Sequence, residues 1–423
     1  MFSFLGLGFL LTSCGFGPFC SVERYSYRET VPVYIDAGDA RKIESSAPRA
    51  LRNPGKIYLH HDLILVNELE GGVHVFDNSD PRAPVPVAFI AIPGNHDLLV
   101  REDATGTVLY ADNYNDLVAI EVSDPRNVRV LKRLGDVFSA FYPQFDAEAG
   151  KGFLVGYEEG ELKTETYRNC GMVVNDPPPA PVAPPATPDT GDGVSGGASQ
   201  GGSLARFAVL SDYPYTIDGD AVQTFRLASL ADPVRFNRLA VDFGIETLFP
   251  YRSEAGDQLY IGGNQGLYIM DASDPGNLRK QGEVSHVQSC DPVVVQGDLA
   301  YVTLQGSCFD ERNRLEIIDV SDPGAPELII DYSLQEPFGL GVDGDYLFIC
   351  DGEAGLKVYG GARTPKNLKL IQQLGDVDAR DVIPFGGVAL VVAENGLFQY
   401  DYSGLAEGEM LLLSRIPVVA EAK

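Results

Sequence analysis

The stretch Leu315-Glu316-Ile317-Ile318-Asp319-Val320-Ser321-Asp322-Pro323 decides the fold. Its first half is an apolar, alternating segment with the period of a β-strand. Its second half is a turn, because Asp and Ser side chains bond backbone amides while Pro fixes φ and blocks continuation of the strand. The same phrase stands at Val73-His74-Val75-Phe76-Asp77-Asn78-Ser79-Asp80-Pro81 and at Val118-Ala119-Ile120-Glu121-Val122-Ser123-Asp124-Pro125. It returns at Leu267-Tyr268-Ile269-Met270-Asp271-Ala272-Ser273-Asp274-Pro275, and weaker copies occupy residues 225–233, 356–365 and 397–404. The prolines fall at 81, 125, 233, 275, 323 and 365, so successive spacings are 44, 108, 42, 48 and 42. A period in the forties made of strands points to the blades of a β-propeller. Helical repeats of similar length are excluded, since the pattern alternates in twos and is punctuated by Gly, Asn and Pro.

Each unit divides into four strands, A to D. In the best-resolved unit strand A takes residues 246–251, B 258–262, C 266–271 and D 278–284. Gly297-Asp298 and Gly344-Asp345 close A–B hairpins, and Asn395-Gly396 closes a B–C hairpin, all with residues that tolerate positive φ. The aspartates of the repeated phrase recur at one turn per unit and read as turn formers, not as catalytic carboxylates. The long gap holds a degenerate unit, with strand-like segments at 141–145, 152–157 and 162–167 and no Ser-Asp-Pro after them. Counting it, the chain is an all-β propeller of about eight four-stranded blades; without it the ring has seven. The Pro-rich, then Gly/Ser-rich stretch that follows cannot bury enough apolar surface to offset its ordering entropy, so residues 169–203 are expected to be a disordered insertion. The propeller is expected over 55–418, after a tether over 15–54 that is partly docked onto the ring.

The strands Leu-Tyr-Ile-Met-Asp at 267–271 and Leu-Glu-Ile-Ile-Asp-Val-Ser-Asp-Pro at 315–323 resemble the LVIVD-repeat proteins, a likeness that covers roughly residues 53–405. It looks most like the lipoprotein members of Bacteroidetes-like bacteria. The resemblance implies a β-propeller at the cell envelope and says little about activity. Two places depart from the pattern: the degenerate unit, and Gly360-Gly361-Ala362-Arg363-Thr364-Pro365, which replaces the signature turn in a later unit. The absence of any Trp removes the Trp-Asp dipeptide of WD40 repeats, and the kelch pattern is not sustained.

Phe2 to Leu11 form an apolar run too short to span a membrane but suited to an export signal. Leu11-Thr12-Ser13-Cys14 follows at once and matches a lipobox, in which Cys14 becomes the acylated first residue of the mature chain. Residues 1–14 therefore read as a lipoprotein signal peptide, although no Lys or Arg precedes the apolar run. The expected location is the cell envelope, as an outer-membrane lipoprotein facing either the periplasm or the cell surface. Beyond that run no stretch is apolar for long enough to cross a bilayer as a helix, which predicts a water-soluble folded part. The 423 residues carry a net charge of −28 spread along the chain with no basic block, which argues against nucleic acid as a partner.

Six cysteines are present, and an exported location permits disulfides. In a hairpin turning near Gly297-Asp298, residues 290 and about 305 face each other, so a Cys290–Cys308 bridge is expected. Cys350 ends an apolar strand and reads as a small core residue, while Cys20 and Cys170 lie in loop-like sequence where their pairing is left open.

No hydrolase elbow, zincin, phosphate-binding loop or EF-hand pattern occurs. His60-His61 sits in strand-like sequence, where neighbours point to opposite faces, so a packing or surface role is expected in preference to one metal site. Strand A of each blade should line the central channel, and polar residues recur at its beginning: His96, Asp97, Arg206, Glu246, Asp291, Arg380 and Asp381. Charged groups converging at a channel mouth are the usual makings of a ligand site, with Ca²⁺ as the ion such carboxylates would hold. The competing reading is that they bond one another and cap exposed backbone around the ring. The expected function is an envelope-anchored, non-catalytic binding or scaffold module for a protein, peptide or glycan. The alternative is a hydrolase or lyase using the channel carboxylates.

Overall fold

A computed structural model describes residues 20–139, 147–148, 151–170, 199–242, 244–253, 256–285, 292–306 and 312–419. Within them the chain forms seven four-stranded antiparallel blades, each with its strands in the spatial order A-B-C-D. Blade 1 comprises Pro54–His60, Leu63–Glu68, Gly72–Asp77 and Val85–Ala91. Blade 2 comprises Leu98–Asp103, Gly106–Asn113, Asp116–Glu121 and Arg129–Leu134, and blade 3 Phe207–Leu210, Tyr213–Asp218, Ala221–Leu227 and Pro233–Ala240. Blades 4 and 5 begin with Ile245–Ser253 and Val293–Gln296, blades 6 and 7 with Leu340–Asp343 and Ala379–Phe385.

Strands B and C read as apolar runs because both faces of each sheet are covered by neighbouring blades. Leu65 and Val75 of blade 1 pack with Val100 and Leu109 of blade 2. Tyr110 of blade 2 packs with Phe207 and Phe225 of blade 3, and Ile217 of blade 3 with Leu259 of blade 4. Blades 4, 5 and 6 share a core around Ile269, Ile317 and Ile349, and Phe348 of blade 6 meets Val391 of blade 7. Ile383 and Leu390 of blade 7 then meet Ile57 and Ile64 of blade 1, which closes the ring. Cys350 is a free, fully buried thiol in the core between blades 6 and 7. Strand D alternates, as in Leu411–Pro417, because it is the outer edge.

The closing seam shares no strand between the first and last blades. It is held by the apolar core, by a parallel bridge between Leu51 and Val418, and by a reciprocal amide pair. In that pair Asn78 Nδ2 donates to Gln399 Oε1 at 2.9 Å and Gln399 Nε2 returns to Asn78 Oδ1 at 2.7 Å. Other blades are stapled by tyrosines at the middle of strand B. Tyr110 Oη donates to Leu230 O at 2.6 Å and Tyr301 Oη to Ala362 O at 2.9 Å, each in the C–D turn of the next blade.

The repeated aspartates hold turns, as their spacing implied. The Asp319 carboxylate accepts from the Ser321 amide at 3.0 Å, and that of Asp322 from the Gly324 amide at 2.9 Å. The same two bonds recur from Asp271 to Ser273 and from Asp274 to Gly276. The A–B turns take left-handed glycines where expected, with φ 63° at Gly297 and 60° at Gly344.

Blade count is the smaller of the two numbers the sequence allowed. The segments at 152–157 and 162–167 are not two strands of an eighth blade but one strand, Gly152–Cys170, hydrogen-bonded beside the long N-terminal strand Cys20–Ile35. With no Asx-Pro turn to stop it, the strand runs on for 19 residues. Of the described residues, those of 20–34 and 154–170 belong to one compact unit and those of 35–153 and 199–419 to the other. In the smaller unit the strands are laced by polar contacts: Ser26 to Thr164 at 2.8 Å, Arg28 to Glu159 at 3.2 Å and Lys163 to Glu29 at 2.6 Å. Within the larger unit, Glu44–Ser46 adds to the outer edge of blade 1 and Ser199–Gly201 to its inner edge. The last residues of the Gly/Ser-rich insertion are thus ordered, because strand A of blade 1 offers them an unpaired edge. Cys14, the pair Cys290 and Cys308, and Asp291 lie outside the described residues, as do the signal peptide and residues 171–198.

Candidate functional site

The A strands of neighbouring blades touch around most of the ring and so line its channel. Several of them begin irregularly. Pairing with strand B skips between Pro54 and Ile57 in blade 1, between Ile245 and Thr247 in blade 4, and between Ala379 and Asp381 in blade 7. Such bulges re-aim side chains at sheet rims. They fall at Lys56, Glu246 and Arg380, two of which the sequence had marked as channel-mouth residues.

At the start of blades 1 and 2, four charged side chains meet in the interior. Lys56, Asp97, Asp112 and Arg206 are each at most 3% exposed. Lys56 Nζ reaches Asp97 Oδ2 at 3.3 Å and donates to Leu204 O at 3.1 Å. The Arg206 backbone amide donates to Asp97 Oδ2 at 2.7 Å, and its guanidinium to Asp112 Oδ2 at 3.2 Å. Asp112 Oδ1 accepts the amides of His96 and Asp97, each at 2.9 Å, and the Asn95 side chain at 2.7 Å. Burial raises both carboxyls above their usual range, and the two cations pull them back. Two negative and two positive groups therefore neutralise one another out of water.

A second carboxylate, Asp381, takes the Ser203 amide at 3.1 Å and its hydroxyl at 3.0 Å, both on Oδ1. Its Oδ2 is buried with no hydrogen-bond partner among the described residues. Burial pushes this carboxyl up to about 7. The Ser203 Oγ accepts from the Leu340 amide at 2.5 Å, and the Gly202 amide donates to Ile57 O at 3.2 Å. Residues 199–206 thus touch the inner strands of blades 1, 6 and 7 and the loop into blade 2.

His96 is buried in the same place, its Nδ1 3.8 Å from Asp112 Oδ2 and its Nε2 3.9 Å from Glu70 Oε1. Burial, reinforced by Arg206, lowers its imidazole to about 3, so it is neutral at physiological pH. Arg380 pairs with Asp378 at 3.4 Å and Glu394 at 3.1 Å, and lies over the Phe338 ring. Glu246 is half-buried in blade 4. The structure therefore brings His96, Asp97 and Arg206 together and places Asp381 beside them at the same mouth, while Arg380 has partners of its own.

Residues 255–285 and 289–333 match the family model of the LVIVD repeat. The chain is a β-propeller carrying LVIVD repeats. No curated protein sequence matches it. Among solved structures, the LVIVD propeller is similar to a protein from Lactobacillus plantarum at 14% identity, TM-score 0.54, over 87% of this chain and 97% of that one. It is equally similar, at 10% identity and TM-score 0.54, to a Bacteroides fragilis protein provisionally assigned as a 6-phosphogluconolactonase, over 86% and 96% of the two chains. A functionally unknown protein from Desulfotomaculum acetoxidans follows at 11% identity and TM-score 0.51, over 86% and 95%. At these identities the likeness is one of fold.

Sequence reasoning missed Lys56 and Asp112 of the LVIVD propeller. Lys56 lacks a motif, yet it stands near the start of an apolar strand A, as Arg380 does in blade 7. Asp112 lies near the end of strand B, where Asn67, Asp218 and Asp351 stand in other blades. In blades 2 and 6 the residue there anchors the chain entering strand A. Asp351 Oδ1 accepts the amides of Gln335 and Glu336 at 3.0 and 2.7 Å, as Asp112 does for those of His96 and Asp97.

The far ends of the same inner strands hold another group. His60 Nε2 lies 3.1 Å and His61 Nε2 2.9 Å from Glu102 Oε2. The expectation that adjacent histidines would point apart fails here. His61 is not in the strand but in the A–B turn, with φ 51°, so the alternation ends at His60.

Proposed function

We propose that this propeller is an envelope-anchored, non-catalytic binding or scaffold module. The observation that carries the reading is the mutual pairing of the buried charges at the channel mouth. Lys56, Asp97, Asp112 and Arg206 satisfy one another, and residues 202–206 bond to blades 1, 6 and 7 and to the loop into blade 2, so these charges are engaged in holding the ring. Binding then falls to the outer surfaces. On the same face a polar cleft of about 510 Å³ opens between blades 2 and 3, lined by Asp136, Ser139, Asp218, Gln223, Arg235 and Arg238. Arg238 is held by Asp220 at 3.0 Å and Asp218 at 3.7 Å, and both arginines remain able to meet a carboxylate or a hydroxyl of a peptide or glycan. The anchor rests on Leu11-Thr12-Ser13-Cys14, and the outer membrane is the expected destination.

Two experiments test the reading. Labelling cells with a clickable palmitate should mark the chain, and Cys14→Ala should abolish the mark and release the protein from membranes. Thermal unfolding of the chain against muropeptides, acidic oligosaccharides and short peptides should find a class that raises the midpoint. Arg235→Ala with Arg238→Ala should remove that shift without lowering the unliganded midpoint. The catalytic alternative has Asp381 in its favour, a carboxyl with an unpartnered oxygen. Against it, even a Cβ at Gly202 would come within 1.5 Å of that oxygen, so a reacting atom has no room on that side. Lactone or ester turnover that disappears in Asp381→Asn would overturn the binding reading.

A further inference from the structure

Among the described residues, one cluster of metal-ligating side chains stands outside the channel mouth. His60 closes strand A of blade 1, His61 follows in the A–B turn, and Glu102 comes from strand A of blade 2. The ligand atoms of all three lie within 4.8 Å of one another. Both imidazole Nε2 atoms already converge on a single carboxylate oxygen, at 3.1 and 2.9 Å. Zinc bonds to nitrogen and oxygen of about 2.0–2.2 Å set tetrahedral ligand atoms about 3.3 Å apart, so each nitrogen–oxygen pair needs to open by only a few tenths of an ångström, while the two nitrogens, within 4.8 Å, settle to the same spacing.

The sister blades supply a second, independent observation. The A–B turns of blades 5, 6 and 7 place Gly297, Gly344 and Gly386 at this turn position, with φ of 63°, 60° and 58°, and blade 3 holds Ser211 there at φ 48°, its hydroxyl donating to the Asp257 carboxylate of the next blade. Blade 1 holds the same left-handed conformation at φ 51° with a histidine. Glycine is the unstrained residue there, and in both blades that hold a side chain instead, it reaches a carboxylate of the next blade. The side chain it carries is the one that reaches Glu102. The turn thus spends its conformational ease on aiming an imidazole across to the neighbouring blade.

We propose that His60, His61 and Glu102 form a binding site for one borderline divalent transition-metal ion, Zn²⁺ foremost, with a fourth position open to water. Two imidazoles and one carboxylate suit zinc, whereas Ca²⁺ takes six to eight oxygens and finds one carboxylate here. His60 is buried, while His61 and Glu102 are exposed, so the ion has a route in from solvent. Bound, it would tie the A–B turn of blade 1 to the inner strand of blade 2.

The test is calorimetric titration of the EDTA-treated, dialysed full chain with ZnCl₂. One ion should bind per chain, and excess CaCl₂ should not displace it. Removing an outer-shell partner already weakens metal sites about 10–100-fold, so removing a ligand should weaken this one at least tenfold. His61→Gly is the decisive variant, since it installs the residue that the turns of blades 5, 6 and 7 use and should leave folding intact. Its zinc affinity should fall at least tenfold while its metal-free melting point holds. Glu102→Gln should do the same. Co²⁺ added to the parent should give the intense visible bands of a four-coordinate site, and these should vanish in both variants. Parent-like zinc binding in His61→Gly and Glu102→Gln, no one-to-one binding by the parent, or equal competition by Ca²⁺ would each overturn the proposal.

Discussion

At the start of the inner strands of blades 1 and 2, Lys56 and Asp97 are buried in a four-charge group with Arg206 and Asp112. At the far ends of the same two strands, His60 and Glu102 meet an exposed His61. The two ends use similar chemistry on opposite terms. Inside, every charge faces its opposite and water is excluded, so the group acts as a joint between blades. Outside, a carboxylate oxygen at the surface is shared by one buried and one exposed imidazole, so an ion can take the proton's place. Net polarity does not distinguish a joint from a site; what distinguishes them is whether the cluster opens to solvent.

The contrast predicts a graded set of effects. Arg206→Ala should be the most damaging change, because it leaves Asp112 buried without its cation, at a cost of about 3–5 kcal/mol in denaturant unfolding. A loss under about 1 kcal/mol would mean that the group is solvated and still available to a ligand. Next comes the pH dependence set by Asp381. Unfolded, its carboxyl ionises near 3.8; folded, it keeps its proton to about 7. Between those values the folded state holds the extra proton, so this group's contribution to stability is fullest below about 4 and falls as pH rises through about 7. Asp381→Asn should remove that decline, and an unchanged stability–pH curve would contradict the buried, protonated state.

Smaller again is the seam. Asn78→Ala or Gln399→Ala should each cost about 1 kcal/mol, and the double variant less than the sum, because the two amides bond each other. The smallest effect should be at the exposed end, where metal-free His61→Gly should stay within about 0.5 kcal/mol of the parent or gain slightly. Together these would rank the joint, the seam and the open site by their share in stability.

The blade architecture was legible because its signal is repeated. Asp319-Val320-Ser321-Asp322-Pro323 makes the same two backbone bonds wherever its pattern recurs, and strands B and C are largely buried in every blade. The count was less legible, since residues 152–167 have strand composition and nothing in composition says which partner a strand will take. Half of the channel mouth was visible through the loop residues His96, Asp97 and Arg206. Lys56 and Asp112 were hidden because each is a single polar residue at the edge of an apolar strand, and only the registration of one blade on the next brings them together. His60 and His61 were misread for a local reason: alternation was extended one residue past the strand's end into a left-handed turn.

The seam carries one more consequence. Each blade is a single uninterrupted run of chain, from 54–91 in the first to 379–417 in the last, and the ring closes by contact between Leu51 and Val418, not by lending a strand across the join. Connectivity and closure are therefore independent. A circular permutant that links residue 419 to residue 50 and opens the chain between two other blades would keep the four strands of each blade together. In such a ring the position of the chain ends is a matter of attachment, and they could be moved to another blade without rethreading any of the seven.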